Sequence, residues 1–198
     1  MSLPSTPSTP PSPSNGHPVV IAGRARRLGD DINTDYIISS RRKKDTLDGD
    51  ILRRYLLEDL DPAFAATVQD GDILVAGHNF GCGSAMEVAV TVVLAAGIRV
   101  VVARSFARTY WRNAVNNGLL LITADTDALH DAVREGDAVT LHLAGTQATL
   151  RVGHDESRAI ACDPVPEIVL TIRDAGGLVP YLRQHRQLAR KPSRPFRP

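Results

Sequence analysis

Residues 73–96 read ILVAGHNFGCGSAMEVAVTVVLAA. The opening ILVA is short, apolar and bounded by glycine, which is the pattern of a buried strand. The closing AMEVAVTVVLAA is long enough for a helix and apolar on nearly every face, which marks a buried helix. Between them lies Gly77-His78-Asn79-Phe80-Gly81-Cys82-Gly83-Ser84. Gly81 and Gly83 let the backbone turn sharply and approach a ligand closely. A glycine turn that opens a helix presents free N–H groups and the positive end of the helix dipole, a setting for a carboxylate or phosphate. Ser84 has two readings here. It either forms a Ser-x-x-Glu capping box with Glu87, or it stands at the anion site. The loop is neither a Walker motif nor a complete GxGxxG, because Met86 occupies the place of the last glycine.

Working outward, residues 19–22 (VVIA), 99–103 (RVVVA), 119–122 (LLLI), 138–143 (AVTLHL), 149–152 (TLRV) and 168–172 (IVLTI) read as further strands. Helices are expected over 85–96, 106–116, 127–134 and 175–184. The middle of the chain is therefore β-α-β-α-β, the order of a partly parallel α/β sheet. The later strands come as hairpins, with Gly145 in one turn.

Two more segments are dense in polar residues. In Gly29-Asp30-Asp31-Ile32-Asn33-Thr34-Asp35-Tyr36-Ile37-Ile38 the Asp and Asn residues suit turns and caps. In residues 104–118 (RSFARTYWRNAVNNG), Ser105 is placed to cap a helix and Gly118 to end it. Arg104, Arg108 and Arg112 recur every four residues, as either a solvated face or a subunit contact.

Composition narrows the class. The chain has 198 residues, 43% of them hydrophobic, enough for one domain with a sizeable core. Lys and Arg total 23 against 22 Asp and Glu, which does not suggest a nucleic-acid or membrane partner. No apolar run reaches the roughly 18 residues of a membrane span. The two cysteines, Cys82 and Cys162, lie far apart without metal-site spacing. They fall short of the roughly four ligands an iron–sulfur cluster takes, so no metal site is expected on this chain. Free thiols suit a reducing cytoplasm. Residues 1–17, rich in Pro, Ser and Thr, and the basic stretch 189–198 are expected to be disordered tails around a folded domain over 18–188.

Three segments together resemble a known family. GDDINTDYII resembles the GDDINTD(A/V)I signature of isopropylmalate dehydratase small subunits. NFGCGSAMEVA resembles their NFGCGSSREHA loop, and ARSFARTYWRNAVNNGLL their A(K/R)SFARIFYRNAINNGL helix. Order and spacing agree, and the likeness runs from about Gly23 to Leu188. The resemblance implies the swivelling β/β/α domain that closes over the active site of aconitase-type enzymes. It implies a hydro-lyase that removes and re-adds water on a hydroxy acid, by default in the isomerisation of 3-isopropylmalate and 2-isopropylmalate for leucine biosynthesis. The partner it implies is a large subunit, in a heterodimer or heterotetramer. That subunit carries a four-iron, four-sulfur (4Fe-4S) cluster acting as Lewis acid, and this chain holds no cofactor of its own.

Matched position by position, Ser84 is the base that takes the Cα proton. Thr34 and Asp35 belong to the active-site rim, beside Gly83, Ala85 and Met86 on the loop. Two departures stand out. Ala85 and Met86 replace a serine and the arginine that grips a substrate carboxylate; a thioether cannot supply those bidentate hydrogen bonds. The stretch after Asp35 (residues 39–61, SSRRKKDTLDGDILRRYLLEDLD) also diverges, and Arg41 or Arg42 is a candidate to supply the missing cation from it. The alternatives are another substituted malate or maleate-type acid, or a non-catalytic paralogue that binds the large subunit.

Overall fold

A computed structural model of the chain describes residues 18–153 and 158–185. The expectations for residues 1–17 and 189–198 lie outside the described residues, as do the last three positions of the 18–188 domain. Seven strands form one mixed sheet: β1 (Val19–Arg27), β2 (Ile73–Ala76), β3 (Val100–Ala103), β4 (Leu120–Thr123), β5 (Ala138–Ala144), β6 (Gln147–Val152) and β7 (Ala159–Cys162), in the order β4-β3-β2-β1-β5-β6-β7. β1 joins two regimes. Its end, Ala25 to Arg27, pairs parallel with Ile73 to Val75, while Val19 to Arg24 pair antiparallel with β5. β2, β3 and β4 continue in parallel; β5, β6 and β7 continue antiparallel.

The two halves bury their side chains differently. β2 and β3 are buried along their whole length, which is why their sequences are unbroken apolar runs. β5 and β6 alternate buried and more exposed positions, as a sheet covered on one face requires. Two apolar cores result. One gathers Ile37, Leu56, Phe80, Val90, Val93 and Tyr110; the other gathers Val75, Val102, Leu120, Leu141, Leu150 and Val169.

The helices are α1 (Thr34–Ile37), α2 (Arg42–Asp45), α3 (Gly49–Leu52), α4 (Phe64–Thr67), α5 (Val88–Ala95), α6 (Arg108–Asn117), α7 (Asp127–Ala132), α8 (Glu167–Asp174) and α9 (Leu178–Gln184). The β2-α5-β3-α6-β4 run has the expected order, and Gly145 sits in the β5–β6 hairpin turn at φ +60°. One element differs. Residues 168–172 lie within α8 and are not a strand. Val169 and Ile172, three apart, are buried while Ile168 is 51% exposed, and Thr171 Oγ1 donates to the Glu167 carbonyl at 2.9 Å. That is helical spacing, which the β-branched content of the stretch conceals. The last strand is instead β7, a four-residue run with Ile160 buried among Ala159, Ala161 and Cys162. No helix among the described residues is long and apolar enough to cross a membrane.

Candidate active site

Three connections leave the carboxyl ends of neighbouring parallel strands: residues 28–33 after β1, 77–87 after β2 and 104–107 after β3. Open α/β sheets place ligands at this end. The connections are stitched to one another. Asp31 N–H donates to the His78 carbonyl, Gly81 N–H to Ile32 and Thr34 N–H to Cys82, each at 2.8 Å. On the other flank, Phe80 N–H donates to Ser105 at 3.0 Å and Ala107 N–H to Phe80 at 2.9 Å.

Polar side chains complete the clamp. The Asp30 carboxylate accepts the His78 N–H at 2.7 Å. Asp31 accepts from the Asn79 side-chain amide at 2.8 Å, and the Asn79 N–H donates to Ser105 Oγ at 2.8 Å. Ser105 therefore clamps the β2 loop and does not cap α6, whose N-cap is Ala107. Gly118 does end α6, at φ +78°. Asn79 and Asp31 take positive φ, +55° and +52°, a region in which Asn and Asp are the best tolerated residues after glycine. Asp30, Asp31, Asn79 and Ser105 escaped the sequence as site-building residues. Their signal was polar side chains flanking the glycine loop, which reads equally as turns.

The glycines leave this loop one path. A Cβ at Gly81 (φ +78°) would fall 2.2 Å from the Tyr110 ring, and one at Gly83 (φ +93°) 2.4 Å from Asn33 Oδ1. Phe80 packs edge-on against Tyr110, with ring centroids 5.2 Å apart, and roots the loop in the core.

Ser84 sits exposed at the tip with Gly83 and Ala85. Its carbonyl is held by Thr34 Oγ1 at 3.1 Å and by the Met86 N–H at 2.8 Å. Its hydroxyl makes no hydrogen bond to the described residues. The capping-box reading is therefore corrected. α5 starts at Val88, its N-cap is Glu87 without a side-chain cap, and the Glu87 carboxylate instead accepts from Asn117 at 3.2 Å. The two glycines and the core-bound Met86 keep residues 84–87 out of the helix.

The other candidate residues separate. Thr34 is 1% exposed and lies under the loop, not on a rim. Asp35 is half-buried and accepts from the Ser40 hydroxyl, which ties the divergent segment to α1. Met86 is 7% exposed and packs into the core, so its thioether is not on the exposed tip. Arg42 is committed elsewhere: it binds Glu58 through two bonds of 2.7 and 2.8 Å and lies 3.8 Å over the Tyr55 ring. Those hydrogen bonds hold the Glu58 carboxyl below its usual range. Arg41 is 82% exposed and only loosely paired with Asp59, at 3.7 Å. Arg104 precedes α6 and pairs with Asp127 at 2.7 Å, so the expected arginine stripe reduces to Arg108 and Arg112 on the exposed face. Burial and the Asp31 charge push the Cys82 thiol above its ordinary value. No group of three or more His, Cys, Asp or Glu side chains suited to a metal occurs among the described residues. Cys82 on the loop and Cys162 on β7 do not fit a cluster.

Comparison with known proteins agrees with this architecture. The Aconitase C-terminal domain family matches residues 36–127. The 3-isopropylmalate dehydratase small subunit of Oleidesulfovibrio alaskensis is 43% identical over 162 residues, 82% of this chain and 93% of that protein. The methanogen homoaconitase small subunit of Methanocaldococcus jannaschii is 38% identical over 173 residues, 87% of this chain and 97% of its own length. The crystal structure of a 3-isopropylmalate dehydratase from M. jannaschii superposes with a TM-score of 0.76 at 38% identity, covering 85% of this chain and 96% of that one. By fold, motif order and identity over most of its length, the chain belongs to the isopropylmalate dehydratase small-subunit family of the aconitase superfamily and is the small subunit of an aconitase-type hydro-lyase.

Proposed function

We propose that the chain works with a large iron–sulfur subunit to dehydrate and rehydrate a hydroxy acid, with 3-isopropylmalate as the default substrate and Ser84 as the base. The observation that carries this reading is the exposed Ser84 hydroxyl on a tightly clamped loop at the carboxyl ends of three parallel strands. A rigid loop holds a reacting oxygen at constant geometry, and proximity of that kind contributes much of a catalysed rate. In this reading the Ser84 alkoxide takes the Cα proton and later returns it. Gly83 keeps the approach free of side chain, and Asp35 and Ala85 shape the adjoining wall. The 4Fe-4S cluster, held by the large subunit, supplies Lewis acidity toward the departing hydroxyl. The place of work is the cytoplasm, where the two free thiols stay reduced.

A second substrate, another substituted malate, is favoured by Met86. An arginine at that place would bring a cation; the buried thioether brings none. The other route keeps a carboxylate contact at that place, with the exposed Arg41 as the cation and Arg42, bound to Glu58, ordering the segment that carries it.

Co-expression with the large subunit tests the assignment. The expected result is a two-chain brown complex that interconverts 3-isopropylmalate and its isomer, while the isolated chain binds no iron and is inactive. Stoichiometric iron on the isolated chain, or a two-chain complex inactive on every substituted malate offered, would overturn it.

A further inference from the structure

We infer that Thr34 is the positioning residue for the Ser84 hydroxyl, an inference that rests on the reading of Ser84 as the base. Thr34 is 1% exposed, so its hydroxyl does not meet substrate. It holds both carbonyls that bracket Gly83: its N–H donates to Cys82 at 2.8 Å and its Oγ1 donates to Ser84 at 3.1 Å. Gly83 between them lacks a Cβ and sits at φ +93°, so its own side chain offers no resistance to rotation. The other bond to the Ser84 carbonyl comes from the N–H of Met86, two residues on in the same loop. Among the described residues, only the Thr34 hydroxyl ties the Ser84 carbonyl to a separate element, α1. Without it, the Ser84 carbonyl keeps only the local Met86 bond, its peptide gains room to tilt about Gly83, and the hydroxyl loses its line to the Cα proton. Proton transfer is steep in that geometry.

The test uses the two-subunit complex with Thr34→Val, which keeps shape and loses the hydroxyl, and Thr34→Ser, which keeps the hydroxyl. Turnover per folded complex and the primary isotope effect with substrate deuterated at Cα are read together. For Thr34→Val, kcat is expected to fall about tenfold or more with KM within about twofold. The isotope effect should rise as proton transfer becomes slower than the other steps, and Thr34→Ser should restore both. A purely structural role would lower thermal stability but leave kcat per folded complex and the isotope effect unchanged, and that result overturns the inference. So does a Thr34→Ser as impaired as Thr34→Val. Ser84→Ala in the same series separates the two readings. If it stays active, the base assignment itself fails; if it is dead while Thr34→Val is normal, only the positioning role fails.

Discussion

Gly83 lies directly against the side-chain amide of Asn33: a Cβ at position 83 would fall 2.4 Å from Asn33 Oδ1, the same atom that caps α1 by accepting the Asp35 N–H at 2.9 Å. One contact thus joins the glycine loop to the acidic segment. Gly83→Ala forces a clash and a positive φ on an L-residue, a cost of about 1–3 kcal/mol. The thermal midpoint should fall accordingly, and kcat should fall further than that loss explains, because Ser84 follows directly. Thermal unfolding and steady-state kinetics of the complex check both; wild-type kcat would mean that the loop path is not needed.

The two arginines after α1 should behave differently. Arg42→Ala removes two hydrogen bonds to Glu58 and the stacking on Tyr55, and should loosen the 39–61 segment at a cost of about 1–3 kcal/mol. Arg41→Ala should leave stability nearly unchanged, since its pair with Asp59 is exposed and long. If Arg41 supplies the carboxylate contact, its loss should raise KM about tenfold or more, by analogy with the removal of a charged hydrogen bond. An unchanged KM in Arg41→Ala would leave recognition to an apolar group on the substrate.

Much of this architecture is legible in the sequence, for definite reasons. β2 and β3 are buried on both faces, so their apolar runs announce themselves. α8 is misread because Ile168, Val169, Thr171 and Ile172 are β-branched, and packing outweighs propensity there. The α1–α4 region is opaque because elements of four residues are too short to carry a period. At the site, the glycines and Ser84 stand out, yet the capping-box spacing misleads. Helix start depends on where Met86 packs, a tertiary fact. The clamps made by Asp30, Asp31, Asn79 and Ser105 depend on strands far apart in sequence lying side by side.

Acid stability should be governed in part by Asp72. This side chain is 2% exposed; burial alone would raise its pKa, but hydrogen bonds from Arg24, the Gln69 N–H and Arg26 hold it below its usual range. A depressed folded pKa means that the stabilisation is complete above the unfolded value of about 3.9 and is lost as pH falls through the lower folded value. Asp72→Asn should cost about 1–3 kcal/mol at neutral pH, because it removes the Arg24 ion pair and weakens a buried hydrogen-bonded cluster, while Arg26 keeps its bond to Glu135 at 2.7 Å. Its urea midpoint should vary less than that of the native chain below about pH 4. Parallel pH profiles would assign the acid sensitivity to another group.

Both thiols should be sluggish nucleophiles. Burial and Asp31 raise the Cys82 pKa, and burial pushes Cys162 up to about 11. The thiolate is the reactive form, so alkylation by iodoacetamide at neutral pH should be slow for both, with the more superficial Cys82 modified before Cys162. Mass spectrometry of timed samples measures the order; rapid modification of Cys162 would contradict the packing around β7.

The central claim is that the Ser84 hydroxyl does chemistry and not capping. Its side chain bonds to none of the described residues, so Ser84→Ala should leave the thermal midpoint of the two-subunit complex within about a degree, well inside what a lost cap would shift. Turnover should nevertheless fall by several orders of magnitude. The decisive measurement is kcat of the Ser84→Ala complex at full subunit and cluster occupancy. The account predicts near-complete loss with an intact, equally stable complex; a kcat within a few-fold of the native enzyme would contradict it.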